Sequence, residues 1–255
     1  MPNVSKTKQA KVDPVDLESS INRNLPYLME IRKRLLFIAV AFVIAAAVGF
    51  VYYERIIRRF LGVFELEGIN IVYTSPFQFI NLAITSAFTV AIVVILPLII
   101  IQILSFLKPA LSKTEFKTVL YLVPFSIVLF VLGFYFGLSM MKYIVEIFYE
   151  RTKAIDIGNI LDVSNFISKT LLTSTLMGIA FQYPIVLMLL TKFNVVKYEF
   201  LKRQRIYAYS ASLVFAALLP PTDLLSLVIL TLPLVFLYEI TLVLIKLFIK
   251  PNEAK

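Results

Sequence analysis

The chain has 255 residues, 60% of them hydrophobic, with a mean hydropathy of +0.88 and a formal net charge of +9. It contains no Cys and no His, which excludes disulfides, iron–sulfur ligation, thiol nucleophiles, the commonest metal ligand and the commonest general base. A soluble protein of this size scatters charge over its surface helices, whereas here the charges are gathered into a few segments, so the solvent is lipid.

Those segments set the elements. Arg34 to Glu54, Glu67 to Lys108, Lys117 to Lys142, Lys169 to Lys192 and Arg205 to Asp223 enclose charge-free stretches of 19, 40, 24, 22 and 17 residues, and another 15 follow Asp223 before Glu239. A helix needs roughly 20 apolar residues to cross a bilayer. The pattern predicts an all-α polytopic bundle of six transmembrane helices, with a membrane domain over residues 25–249 and polar tails over 1–24 and 250–255.

The first tail is expected to be disordered. Pro26 is expected to open a helix whose Leu28, Ile31 and Leu35 share one face, leading into span one at about 35–53. That span is expected to be a retained anchor rather than a cleaved leader. In the loop 54–75, the spacing of Arg55, Arg58 and Arg59 against Phe60 and Phe64 predicts a short helix lying on the membrane surface.

Ser75-Pro76 has the cap-then-proline order that opens span two, about 77–107, which carries Pro97 inside it. Span three, about 119–141, carries Gly133 and Gly137 at a spacing that lets another helix approach. A loop with Asp156, Asn159, Asp162 and Asn165 leads to span four, about 168–190, with Gln182 and Pro184 in an apolar stretch. Spans five (206–219) and six (224–245) are joined by Pro220-Pro221-Thr222-Asp223. Span five is short for a bilayer core of about 30 Å, so the bilayer thins there or Asp223 sits below the surface in a polar cavity.

Assigning loops alternately to two sides places 18 of the 25 Lys and Arg with the N-terminus. Positive loops stay cytoplasmic, so both termini and the loops after spans two and four are expected inside. The basic excess is then explained by topology and anionic lipid, and no nucleic-acid partner is expected.

Few residues carry chemistry, and each has two readings. Glu30 lies among Arg32, Lys33 and Arg34; it forms a helix-surface pair with Arg34 or offers a carboxylate to an incoming cation. Glu115 stands three residues after Ser112, the spacing of a capping box, or is a second such carboxylate. Together the two acids could take a pair of guanidinium groups. Gln182 is placed to hydrogen-bond another helix, its own bundle's or a partner's. Glu239 is the acid inside span six, close enough to the span's end to reach the interface with Lys246.

These residues fall into a known pattern. Tyr27-Leu28-Met29-Glu30-Ile31-Arg32-Lys33-Arg34-Leu35, the run Phe106 to Glu115, Ser75-Pro76, Phe181-Gln182-Tyr183-Pro184-Ile185, Pro220-Pro221-Thr222-Asp223, Leu232-Pro233 and Tyr238-Glu239-Ile240 resemble, in order, the motifs of the TatC family, the multispanning subunit of the twin-arginine protein translocase. The resemblance implies short helices five and six and a receptor for signal peptides of folded cargo proteins. It implies that Glu30 and Glu115 receive the paired arginines while Arg32, Phe106, Pro109 and Leu111 shape the site. It further implies single-span TatA-like and TatB-like partners, docking near Gln182, Tyr183 and Pro184, and a homo-oligomer within the complex. Transport would be driven by the proton-motive force, without cofactor or enzymatic reaction, in the plasma membrane of a prokaryote. The chain departs from the pattern at Tyr27, where the family has His, at Gln182, where it has Glu, and at Thr222, where it has Pro.

A small-molecule or ion transporter is the alternative class. Asp223, Glu239 and Gln182 would line its path, and Pro97 and Pro184 would break its helices. No internal repeat supports it.

Overall fold

Residues 14–64, 70–72, 77–107, 120, 122–153 and 160–248 are described by a computed structural model. The chain divides into two units, Met1–Ala41 and Phe42–Lys255.

The first unit contains most of helix α1 (Pro14–Val51). Residues 14–24, expected in a disordered tail, already belong to this helix, because Leu17, Ile21, Leu25 and Leu28 recur at spacings of three and four. Pro26, expected to open the helix, lies within it.

In the second unit α1 ends and is followed by α2 (Tyr53–Phe64), β1 (Asn70–Val72), α3 (Gln78–Leu107), α4 (Leu122–Lys153) and β2 (Ile160–Asp162). Then come α5 (Val163–Ala180), α6 (Tyr183–Lys192), α7 (Tyr198–Arg203), α8 (Arg205–Leu218) and α9 (Leu224–Phe248). Among the described residues five segments are long and apolar enough to cross a membrane, Leu28–Val51, Gln78–Phe106, Leu122–Arg151, Ser164–Lys192 and Leu224–Leu247, and Arg205–Leu218 is a shorter apolar helix. Large apolar side chains cover the outside, with Leu132, Leu218 and Phe236 each more than half exposed, the surface a lipid-immersed bundle presents.

Helix α5 is the centre, packed along α4 and α3. Its close packing comes from small polar residues. Thr170, Ser174 and Thr175 are fully or almost fully buried and return their hydroxyls to carbonyls one turn earlier, each at 2.7 Å, so these three hydroxyls are satisfied within the apolar interior. The Gly133/Gly137 pair is the matching surface on α4. A Cβ at Gly137 would lie 2.6 Å from Ser174 Cα, and one at Gly133 2.7 Å from the Met177 carbonyl oxygen.

Two features depart from the sequence expectation. Helix α4 continues to Lys153, past the anticipated end at 141. The loop beyond it returns as β2, which pairs in parallel with β1 in the register Asn70↔Ile160, Ile71↔Leu161 and Val72↔Asp162. The α2 helix exists as anticipated, but its apolar face is spent on protein: Ile57 and Phe60 pack with Leu82, Met141, Phe166 and Ile167.

Candidate functional site

Glu30 and Arg32 lie in the first unit, on α1, with both side chains exposed. Glu30 Oε1 accepts from Arg34 Nη2 at 2.6 Å and from Arg34 Nε at 3.2 Å, so the i, i+4 pair read from the sequence is formed. Phe106, in the last turn of α3, belongs to the second unit and is half-buried. Pro109, Leu111 and Glu115 lie outside the described residues, as do Ser75 and Pro76. The six-residue set is therefore not assembled among the described residues.

The second cluster is assembled. The anticipated span 168–190 is two helices, α5 and α6, broken at Phe181–Gln182. Pro184 in the first turn of α6 cannot donate a backbone hydrogen bond, which is why the α5 ladder stops before it. The freed polar groups are met locally. Phe181 N–H donates to the Met177 carbonyl at 2.9 Å and Gln182 N–H to that of Ile179 at 2.9 Å. Gln182 then ties the break to α4. Its Oε1 accepts from Ser126 Oγ at 2.5 Å, and its Nε2 donates to the carbonyls of Ser126 at 3.2 Å and Gly178 at 3.3 Å. The next residue reaches the other way, with the Tyr183 hydroxyl donating to the Leu234 carbonyl in α9.

Between this break and the α8–α9 hairpin lies an apolar groove of about 600 Å³, lined by residues including Gln182, Tyr183, Val186, Ser212, Phe215 and Tyr238.

Glu239, anticipated as the acid inside span six, is held across the hairpin. Its Oε2 lies 3.0 Å from the Arg205 guanidinium nitrogen Nη2 and its Oε1 accepts from the Tyr209 hydroxyl at 2.5 Å. Tyr238 beside it donates to the Leu201 carbonyl at 2.8 Å and meets the Tyr209 ring edge-on at 6.2 Å. Arg205 and Tyr209 were not legible as site residues from their own surroundings. A signal existed: Arg205 stands 15 residues before Pro220 and Glu239 stands 16 after Asp223, so an antiparallel hairpin brings them to one depth.

At the tip of that hairpin, Asp223 caps α9. Its Oδ1 accepts from Ser226 N–H at 2.8 Å and its Oδ2 from Ser226 Oγ at 2.5 Å. This is the N-cap arrangement that satisfies first-turn donors. Pro220-Pro221 is cis, and the Pro220 carbonyl accepts from the Thr173 hydroxyl in α5. A smaller cavity of about 230 Å³ lies beside Pro221, Thr222 and Asp223.

The arrangement is a rigid set of helices with a broken central span, a short hairpin and an apolar groove. A family model described as "Sec-independent protein translocase protein (TatC)" matches residues 26–233.

The chain belongs to the TatC family.

It is 31% identical over 223 residues to the Sec-independent protein translocase protein TatCy of Bacillus subtilis (strain 168), covering 87% of this chain and 88% of the relative. It is also 31% identical over 230 residues to the TatC of Rickettsia prowazekii (strain Madrid E), covering 85% and 90%. A crystal structure of the "Twin Arginine Translocase Receptor- TatC in DDM" superposes with a TM-score of 0.75 at 28% identity, covering 85% of this chain and 98% of that one. The TatC-family chain is thus a multi-pass membrane component of a prokaryotic Sec-independent protein translocase.

Proposed function

We propose that this chain is the receptor and core subunit of a twin-arginine translocase. In this reading it binds the signal peptides of folded cargo proteins at the cytoplasmic face, with both termini on that side and a membrane domain over residues 25–249. The observation that carries the proposal is an exposed carboxylate already holding a guanidinium: Glu30 with Arg34 at 2.6 Å. An arginine of a signal peptide can exchange for Arg34, because a solvent-exposed pair at i, i+4 contributes only about 0.3–0.5 kcal/mol. Glu115 supplies the second carboxylate, and Arg32, Phe106, Pro109 and Leu111 shape the surroundings.

Single-span TatA-like and TatB-like partners dock at the helix break, where Gln182, Tyr183 and Pro184 border the apolar groove. The complex carries more than one copy of this chain, and transport is driven by the proton-motive force. No step requires a cofactor.

The test is site-specific crosslinking of a twin-arginine signal peptide to membranes containing the protein. A Lys-Lys signal and the Glu30→Ala and Glu115→Ala variants serve as comparisons. Loss of crosslinking in all three supports the arginine–carboxylate mechanism, and equal crosslinking throughout sinks it.

A further inference from the structure

Helix α2 presents Arg55, Arg58 and Arg59 on one exposed face. At 100° per residue the same arc contains Gly62, where an added Cβ would meet nothing within 4 Å, so the space among the arginines is open. The roll of the helix is fixed from behind by buried Ile57 and Phe60. The arginines therefore cannot turn inward.

Their depth is fixed as well. The first membrane-spanning segment ends at Val51, two residues before α2 starts. The α2 core contacts include Leu82, four residues into α3, and Phe166 and Ile167, three and four residues into α5, so α2 packs about one helical turn from where two further helices begin. Phe50 and Val51, both exposed, mark the adjoining apolar surface. A helix that follows directly on the end of a span stands where lipid headgroups are expected.

Among the described residues, little of the charge on this face is neutralised by protein. Glu54 stands 3.7 Å from Arg58, but both side chains are strongly exposed, at 64% and 82%, a geometry that contributes little. Arg55 lies over the Tyr52 ring at 5.3 Å, which leaves its charge in place. Among the described residues Arg59 has no acidic partner. Arg55 and Arg59 repel one another at i, i+4 unless an anion lies between them. Three of the seven basic residues that the sequence assigns to this side of the membrane are crowded onto this one face.

We propose that the arginine face of α2 binds the phosphate of anionic phospholipids in the leaflet at this end of the bundle. The guanidinium forks take phosphate oxygens, and the acyl chains run down along Phe50 and Val51. The proposal is independent of signal-peptide recognition.

The chain has no Trp, so a single introduced indole reports one locality. Phe50→Trp places it beside α2. Phe200→Trp, also exposed, places it on α7, between α6 and α8. The full-length protein is reconstituted in mixtures of phosphatidylcholine and phosphatidylglycerol, with one or the other carrying brominated acyl chains, and quenching gives the relative binding of the two lipids. Phe50→Trp is expected to favour phosphatidylglycerol about fivefold, the ratio one arginine near an anionic surface supplies. The preference should fall to about one when Arg55, Arg58 and Arg59 are all changed to Gln, with Phe200→Trp unchanged. Arg59→Gln alone, at an exposed position, should lower the preference without any effect on folding. A ratio near one with the arginines intact, or no change in Arg59→Gln and in the triple variant, overturns the proposal and leaves the face to an acidic protein partner.

Discussion

Arg205 and Glu239 face one another across the α8–α9 hairpin with their charged groups 3.0 Å apart. The pair closes the end of the hairpin remote from Pro220 and Asp223, and the Tyr209 hydroxyl completes it. Arg205→Gln and Glu239→Gln are each expected to lower thermal stability in detergent. Because both side chains are more than a third exposed, the coupling in a double-mutant cycle should be about 1 kcal/mol or less. Strict additivity of the two changes would show that the pair contributes nothing.

Gln182 supplies both a donor and an acceptor at the α5–α6 break, and Ser126 uses both. Gln182→Leu should cost about 1–3 kcal/mol through the polar groups it strands. Gln182→Glu should cost more, since an ionised carboxylate would face the Ser126 and Gly178 carbonyl oxygens that the amide now satisfies. Circular dichroism melts of the purified protein distinguish the two. A Glu variant as stable as the parent would refute this account of the break.

Gly137 and Gly62 are both helical glycines, yet opposite outcomes are expected. Gly137→Ala drives a Cβ to 2.6 Å from the Ser174 backbone, so α4 and α5 must separate, at a cost of about 1–3 kcal/mol. Gly62→Ala meets open space and should stabilise α2 by up to about 1 kcal/mol. The same unfolding assay on both variants checks the sign.

Asp223 acts at the tip of the hairpin as a cap, so shape matters more there than charge. Asp223→Ala should lower stability by about 1 kcal/mol, and Asp223→Asn should largely restore it, because Asn caps as well as Asp. A neutral residue as harmful as Ala would instead assign the role to the charge.

Glu30→Ala should leave stability within about 0.5 kcal/mol of the parent, because the lost pair with Arg34 lies on an exposed helix surface. This makes the variant a clean probe of recognition. A melt lowered by several degrees would show instead that Glu30 supports the fold.

Much of the architecture was legible because lipid removes alternatives. A charge-free run of 15 to 40 residues has few structures open to it, and the six apolar helices follow from those runs. The short fifth helix was legible for the same reason, and α2 was legible from the spacing of its arginines against Phe60 and Phe64. What could not be read depends on partners distant in sequence. Asn70-Ile71-Val72 is too short to announce a strand, and its pairing with Ile160–Asp162 is set by where α3 and α5 begin. The break at Phe181–Gln182 was signalled by Pro184, but its closure by Ser126, 56 residues earlier, was not. Of the candidate site, Glu30 and Arg34 were readable because helix periodicity is local. Glu239 stood out as an acid within an apolar run, but its ion-pair partner Arg205, 34 residues earlier, comes from the facing helix and leaves no local signal.

The latch between Thr173 and Pro220 has a consequence for the surrounding lipid. Thr173 is ten residues beyond the first residue of α5, so the hairpin tip meets α5 about 15 Å along its axis at 1.5 Å per residue. The protein's rim is therefore a staircase: high where α2, α3 and α5 begin, and lower by half a bilayer core where α8 turns into α9. Lipids beside the low tread therefore meet less protein in that leaflet than lipids beside α2, α3 and α5 do.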